Sequence, residues 1–201
     1  MKKLLLLSAL GLCSLPLLAS AQTTKKADEP ETLILSDSLS YDDTNKTSNF
    51  KGNVILTRGL MRLTADEVNL KEDAKGFQHA TATVKGAKKV TIYEERPENY
   101  ETIHAEGLTA TYNGETEVVR LVGQSIVTRS VCGKVVDVLR GDIVTYNSKN
   151  STYSATGGPN APDRGRVRSL VQARSKVDAA VAECRTRYNG KPMPSNLKKS
   201  S

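Results

Sequence analysis

Phe50-Lys51-Gly52-Asn53-Val54-Ile55-Leu56-Thr57-Arg58 recurs 71 residues later as Leu121-Val122-Gly123-Gln124-Ser125-Ile126-Val127-Thr128-Arg129. Each copy alternates apolar and polar side chains, so each reads as a strand with one buried face. The flanks recur as well. Ser36-Asp37-Ser38-Leu39-Ser40-Tyr41 resembles Ala105-Glu106-Gly107-Leu108-Thr109-Ala110-Thr111-Tyr112, and Thr64-Ala65-Asp66-Glu67-Val68 resembles Arg140-Gly141-Asp142-Ile143-Val144. A unit of about three strands therefore occurs at least twice. Units of this kind stack or roll so that each covers its neighbour's apolar face.

Working outward, short runs of Val, Ile, Leu and Thr alternate with Gly, Asn and Asp. Strands are expected at 32–41, 47–57, 60–70, 77–84, 88–94, 101–112, 117–128, 134–145, 151–156 and 166–173. Turn signals at this spacing imply an antiparallel all-β protein. Asn113-Gly114 has the composition of a type I′ hairpin turn. Alternation turns Phe50, Gly52, Val54 and Leu56 to one face, with Met61, Leu63 and Ala65, Val90 and Ile92, and Ile103 and Ala105 continuing it. Leu121, Gly123, Ser125 and Val127 take the same phase in the second unit. Val177, Ala180, Val181 and Cys184 recur at helical spacing, giving a short amphipathic helix over 177–188.

The 201 residues carry 29 Lys and Arg against 22 Asp and Glu, and Trp is absent. Met1-Lys2-Lys3, the apolar run Leu4 to Leu18 and Ala19-Ser20-Ala21 read as a cleavable secretory signal peptide, residues 1–21. Its product belongs in an oxidising compartment, most simply the periplasm. After cleavage Cys132 and Cys184 remain. A disulfide between them would clip the C-terminal segment to the body; two unpaired thiols are the alternative. Residues 22–163 are slightly acidic and residues 164–201 strongly basic. The basic extension, 174–201, suits an anionic membrane surface, a phosphorylated lipid or an acidic partner, or serves only as a solubilising tail. Residues 22–31 and the tail from Lys191 are expected to be disordered.

Signals for catalysis do not accumulate. His79 and His104 lie in separate strand-like runs with no cysteine near, so no metal site is expected. There is no nucleophile elbow, P-loop, zinc-protease or dinucleotide motif. Asp37, Asp66 and Asp142 recur with the repeat and read as structural acids at strand bends. Glu94-Glu95-Arg96-Pro97 reads as a solvated turn. The chain is not expected to be an enzyme or to need a cofactor.

Leu35-Ser36-Asp37-Ser38, Phe50-Lys51-Gly52-Asn53-Val54 with Thr57-Arg58-Gly59, and Leu63-Thr64-Ala65-Asp66-Glu67-Val68 together resemble the OstA-like domain of the LptA family of lipopolysaccharide transport proteins. Leu121-Val122-Gly123-Gln124-Ser125, Arg140-Gly141-Asp142-Ile143-Val144-Thr145-Tyr146 and Gly165-Arg166-Val167 continue the likeness, which covers residues 32–173. Cys132, Cys184 and the helix-like extension depart from that pattern. The resemblance implies a β-jellyroll, twisted and open along one side, that carries lipopolysaccharide from an inner-membrane complex to an outer-membrane translocon. Lipid A acyl chains would lie along Ile34, Phe50, Val54, Leu56, Met61, Leu63, Ala65, Val90, Ile92, Ile103, Leu121, Val127 and Ile143. Copies would stack head to tail, and onto LptC-like and LptD-like jellyrolls, through edge strands at Thr32, Ile34 and Ser36 and at Val167, Ser169 and Val171. No nucleic-acid partner is implied. The alternative is an envelope adaptor that uses the same edges around a filled interior and binds no lipid. A secreted carbohydrate-active solenoid would need acids grouped on one face. A small outer-membrane barrel would need longer strands and aromatic girdles.

Overall fold

The computed structural model describes residues 31–147, 149–150 and 152–197. The expected signal peptide and most of the expected flexible N-terminus lie outside these residues. Twelve strands form one continuous antiparallel sheet: β1 Thr32–Leu35, β2 Ser38–Asp42, β3 Thr47–Arg58, β4 Met61–Glu72, β5 Gln78–Thr83, β6 Val90–Arg96, β7 Glu101–Gly107, β8 Thr109–Asn113, β9 Val118–Val131, β10 Lys134–Asn147, β11 Thr152–Thr156 and β12 Arg168–Val171. One helix, α1 Arg174–Arg187, follows β12.

Four long strands bend, and the sheet folds on itself there. Beyond residue 53, β3 pairs with β1 and the first half of β4; before residue 52 it pairs with β2 and the second half of β4. Likewise β9 and β10 pair with β7 and β12 on one side of their bend and with β8 and β11 on the other. The first layer therefore runs β1-β3-β4-β6-β7-β9-β10-β12. The second runs β2-β3-β4-β5-β8-β9-β10-β11.

The bends explain the repeated motif. Gly52 and Asn53 sit at φ +79° and +47°, and Gly123 and Gln124 at +76° and +50°. This is the left-handed region, where glycine is unstrained and Asn is tolerated better than most residues. Each glycine carbonyl accepts a crossing strand's N–H, from Asp37 at 3.0 Å and from Leu108 at 2.9 Å. A Cβ at Gly52 would lie 2.1 Å from Asp37 Oδ2. The three recurrent acids all serve the bends. Asp37 accepts the Asn53 amide at 2.9 Å, and Asp66 accepts the Lys85 backbone N–H and the Lys88 ammonium, both at 2.8 Å. Asp142 is the β10 residue that faces the Gly123-Gln124 bulge of β9, and its carbonyl accepts the buried Ser125 hydroxyl at 3.0 Å.

Several expectations change. The strand expected over 32–41 breaks at Ser36-Asp37, because β1 and β2 belong to different layers; that over 101–112 breaks at Leu108 for the same reason. Asn113-Gly114 is not a type I′ turn: the connection spans 114–117, and its left-handed residue is Glu117. The two-residue hairpin with both residues at positive φ is Cys132-Gly133, at +53° and +75°, between β9 and β10.

The C-terminal segment is a packed strap through Leu197, not a disordered tail from Lys191. Cys132 and Cys184 are joined by a disulfide, with Cα atoms 5.6 Å apart. Around it Tyr100, Val131, Val136 and Ala180 form a second core, flanked by Val177, Val181, Tyr188 and Met193. Tyr100 and Tyr188 stack with centroids 6.2 Å apart, and Lys134 pairs with Glu183. Glu95, read as part of a solvated turn, is only 2% exposed. It accepts hydrogen bonds from the Ser195 hydroxyl, from Asn196 N–H at 3.0 Å and from Tyr93 at 3.2 Å. Burial pushes its carboxyl up, but these donors pull it below the ordinary carboxylate value. A carboxylate this far from water needs such donors, and the strap supplies them.

Candidate lipid groove and edge strands

Between the layers lies a groove of about 380 Å³. Leu56, Met61, Leu63, Ile92, Ile103 and Val127 line it from the first layer. Val68, Leu70, Ala80, Ala82, Ala110, Leu121 and Val144 line it from the second. Three of the second layer's lining residues are alanines, whose small side chains fill little of the space between the layers. At about 30 Å³ for a water-sized group, the groove has room for roughly a dozen such groups. That is the scale of one fatty-acyl chain.

Of the thirteen residues assigned to an acyl path, Leu56, Met61, Leu63, Ile92, Ile103, Leu121 and Val127 line the groove. Val54, Ala65 and Val90 are buried in the adjoining core, and Ile34 and Phe50 pack against that core. Ile143 is the exception. At the second bend β9 carries the extra residue, with Gly123 and Gln124 opposite Asp142 alone, and the shift in register puts Val144 opposite Leu121 on the groove side and Ile143 opposite Val122 on the other. The same effect hid Val68 and Leu70. Phase shifts at the first bend, where Phe50 pairs with Val68 but Val54 pairs with Ala65. Plain alternation from Met61, Leu63 and Ala65 places Glu67 and Asn69 inward instead. The signal that could have found the shift was the Gly-Asn pair itself.

Charge and aromatic groups gather at the open side, away from the bends. Glu94 lines the groove and pairs with Arg96 at 2.8 Å. Tyr153 of β11 stacks on Tyr146 of β10, centroids 4.4 Å apart, and reaches Arg96 of β6, so the group ties one layer to the other. Arg129 pairs with Glu101 and Asp137, both at 2.6 Å. Burial lowers the proton affinity of both arginines, but their carboxylate partners raise it further, and both stay charged. His79 bonds Asp73 at 2.9 Å at the groove's edge, and His104 is exposed on the outer face. Among the described residues no group of three or more His, Cys, Asp or Glu could hold a metal ion. No helix among them is long and apolar enough to cross a membrane.

Each layer ends in strands with a neighbour on one side only. At one end these are β1 and β2, and at the other β12 and β11. Thr32 and Ile34 lie in β1, and Ser169 and Val171 in β12. Ser36 lies in the link between the layers, and Val167 just precedes β12. Exposed apolar residues cluster at both ends: Leu33, Leu35, Leu39 and Tyr41 at the first, and Val167, Leu170, Val171 and Tyr153 at the second. Exposed apolar edges of this kind are rarely left unmanaged.

Such an architecture defines a two-layered β-jellyroll with an apolar groove between its layers. Residues 33–152 match the model of the LptA/(LptD N-terminal domain) LPS transport protein family, and the chain belongs to that family. The family is one of transport proteins rather than enzymes. Among curated proteins the chain is similar to the lipopolysaccharide export system protein LptH of Pseudomonas aeruginosa. The two are 26% identical over 148 residues, spanning 72% of this chain and 80% of that protein. The crystal structure of LptH, described as the LptA-homologous periplasmic component of the lipopolysaccharide transport device, superposes with a TM-score of 0.61 at 23% identity. It covers 72% of this chain and 96% of that one, and the likeness lies in the fold.

Proposed function

We propose that this protein is a periplasmic carrier of lipopolysaccharide, delivered there by its signal peptide, that holds lipid A acyl chains in the groove and leaves sugars and phosphates in water. Head-to-tail stacking through the edge strands, with itself and with LptC-like and LptD-like jellyrolls, would make it a bridge between the membranes. The observation that carries this reading is the apolar groove left open by Ala80, Ala82 and Ala110. Burying a dozen methylenes at about 0.8 kcal/mol each is worth roughly 10 kcal/mol, enough to keep an acyl chain from water in transit. The adaptor alternative needs a filled interior, and the groove counts against it.

The test is photocrosslinking in cells, with a photoreactive residue at Leu63 or Ile92 and outward controls at Lys51 or Arg62. Adducts with lipopolysaccharide are expected at the groove positions only. A folded, exported protein that gives none at Leu63 or Ile92 would refute the carrier reading.

A further inference from the structure

The two ends of the molecule carry opposite charge. Residues 31–45 contain Glu31, Asp37, Asp42 and Asp43 and no basic residue; residues 164–174 contain Arg164, Arg166, Arg168 and Arg174 and no acidic one. The first stretch forms β1 and β2, and the second forms β12 with its flanks, so the charges lie on the two terminal edges. Some partners are local: Asp43 pairs with Lys46 at 2.6 Å, Arg168 with Asp163 at 3.5 Å and Arg174 with Asp178 at 3.9 Å. These contacts are exposed and weak. Arg174 is 95% exposed, and Glu31, Arg164 and Arg166 are exposed as well.

Strand direction fixes how two ends can meet. Every neighbouring pair in both layers is antiparallel, and each layer has eight segments, so its first and last strands run in opposite directions. A second copy in the same orientation therefore adds β1 to β12 and β2 to β11 as antiparallel pairs, continuing both layers at once. In β1, Leu35 lies near the bend and Thr32 toward the open side, opposite Arg58. In β12, Arg168 lies near the bend, opposite Arg140, and Val171 toward the open side, opposite Asp137. Faces match when Thr32 meets Val171, Leu33 meets Leu170 and Ile34 meets Ser169. Leu33 and Leu170, 48% and 40% exposed, then cover each other on the outer surface.

Resting on the head-to-tail reading above, we propose that the basic C-terminal edge of one copy docks on the acidic N-terminal edge of the next, with Arg174 facing Glu31 at the open side and Arg166 facing Asp37 at the bend. Backbone pairing alone tolerates slippage and reversed partners. The two charge pairs choose the end and the register, and they disfavour like ends meeting.

Self-association of the purified chain is measured by sedimentation at about 50 mM and about 500 mM salt, where the screening length falls from more than 10 Å to a few ångströms. Association is expected to weaken with salt. Arg166→Glu/Arg174→Glu should weaken it roughly tenfold, the scale of two rim ion pairs. Glu31→Arg/Asp37→Asn should weaken it too, the Asn keeping Asp37's shape at the bend, and circular dichroism verifies each fold. Mixing the two variants should restore a heterodimer, because the C-terminal edge made acidic in the first then meets the N-terminal edge made basic in the second. Association insensitive to both salt and reversal would overturn the charge pairing while leaving edge pairing intact. No association of the unaltered chain, with groove crosslinks present, would overturn both but spare the lipid reading. An arginine variant that associates normally yet loses retention on lipid A liposomes would assign this edge to headgroup phosphates instead, and overturn the proposal.

Discussion

Replacing Cys132 and Cys184 together by alanine removes the disulfide that cross-links the jellyroll to its C-terminal helix. The disulfide spans 52 residues, which include β10, β11, β12 and most of α1. In the chain-entropy description, opening a loop of that length destabilises the folded state by about 4 kcal/mol, because the unfolded chain regains the freedom that the bond denies it. Cys184 is fully buried, and Ala180 is the other helix residue buried with it, so α1 has little apolar surface with which to compensate. For a chain of this size each kcal/mol moves the melting temperature by roughly 2–4 °C, so a loss of about 8–16 °C is expected in a calorimetric scan. Hydrogen exchange should quicken first in α1 and around Met193, which packs against this second core. Lipid crosslinking at Leu63 should persist, because none of the second-core residues lines the groove. A melting temperature within about 3 °C of the parent, with α1 still protected, would show that packing holds the strap and that the entropic reasoning is wrong.

Three further outcomes are expected. Gly76→Ala places alanine at φ +85° with nothing near its Cβ and should cost about 1 kcal/mol in urea melts. Gly52→Ala adds a Cβ against Asp37 and should cost about 3 kcal/mol; equal losses at the two sites would remove the close approach from the account of the bend. Because the folded Glu95 carboxyl is held below its ordinary value of 4.5, its stabilisation is fully present above that pH and is lost as pH falls through the depressed value. Exchange in residues 193–197 should therefore accelerate as the pH falls below 4.5, and Glu95→Gln should abolish that acceleration; protection unchanged in acid would refute the carboxylate's role. Leu63→Glu puts a charge in the groove and should sharply reduce lipopolysaccharide adducts at Ile92 while β-sheet content stays constant; undiminished adducts would move the lipid path elsewhere.

The strands, the antiparallel class and the repeat were legible in the chain, because alternation and turn residues are local properties. The recurrent acids at Asp37, Asp66 and Asp142 were readable as strand-bend residues from the repeat; the Gly-Asn and Gly-Gln pairs, which make the bends, read only as positions in straight alternating strands. Two cysteines behind an expected signal peptide raised the disulfide as one of two readings. What alternation could not carry across a bulge was phase: Ile143 turned away from the groove, and Val68 and Leu70 turned into it. The groove itself belongs to the tertiary structure, because its volume depends on which alanines of one layer face which leucines of the other. The strap belongs there too. Nothing near Lys191 or Ser195 in sequence announces Glu95, and a polar segment of this composition orders only when a distant buried carboxylate needs its donors.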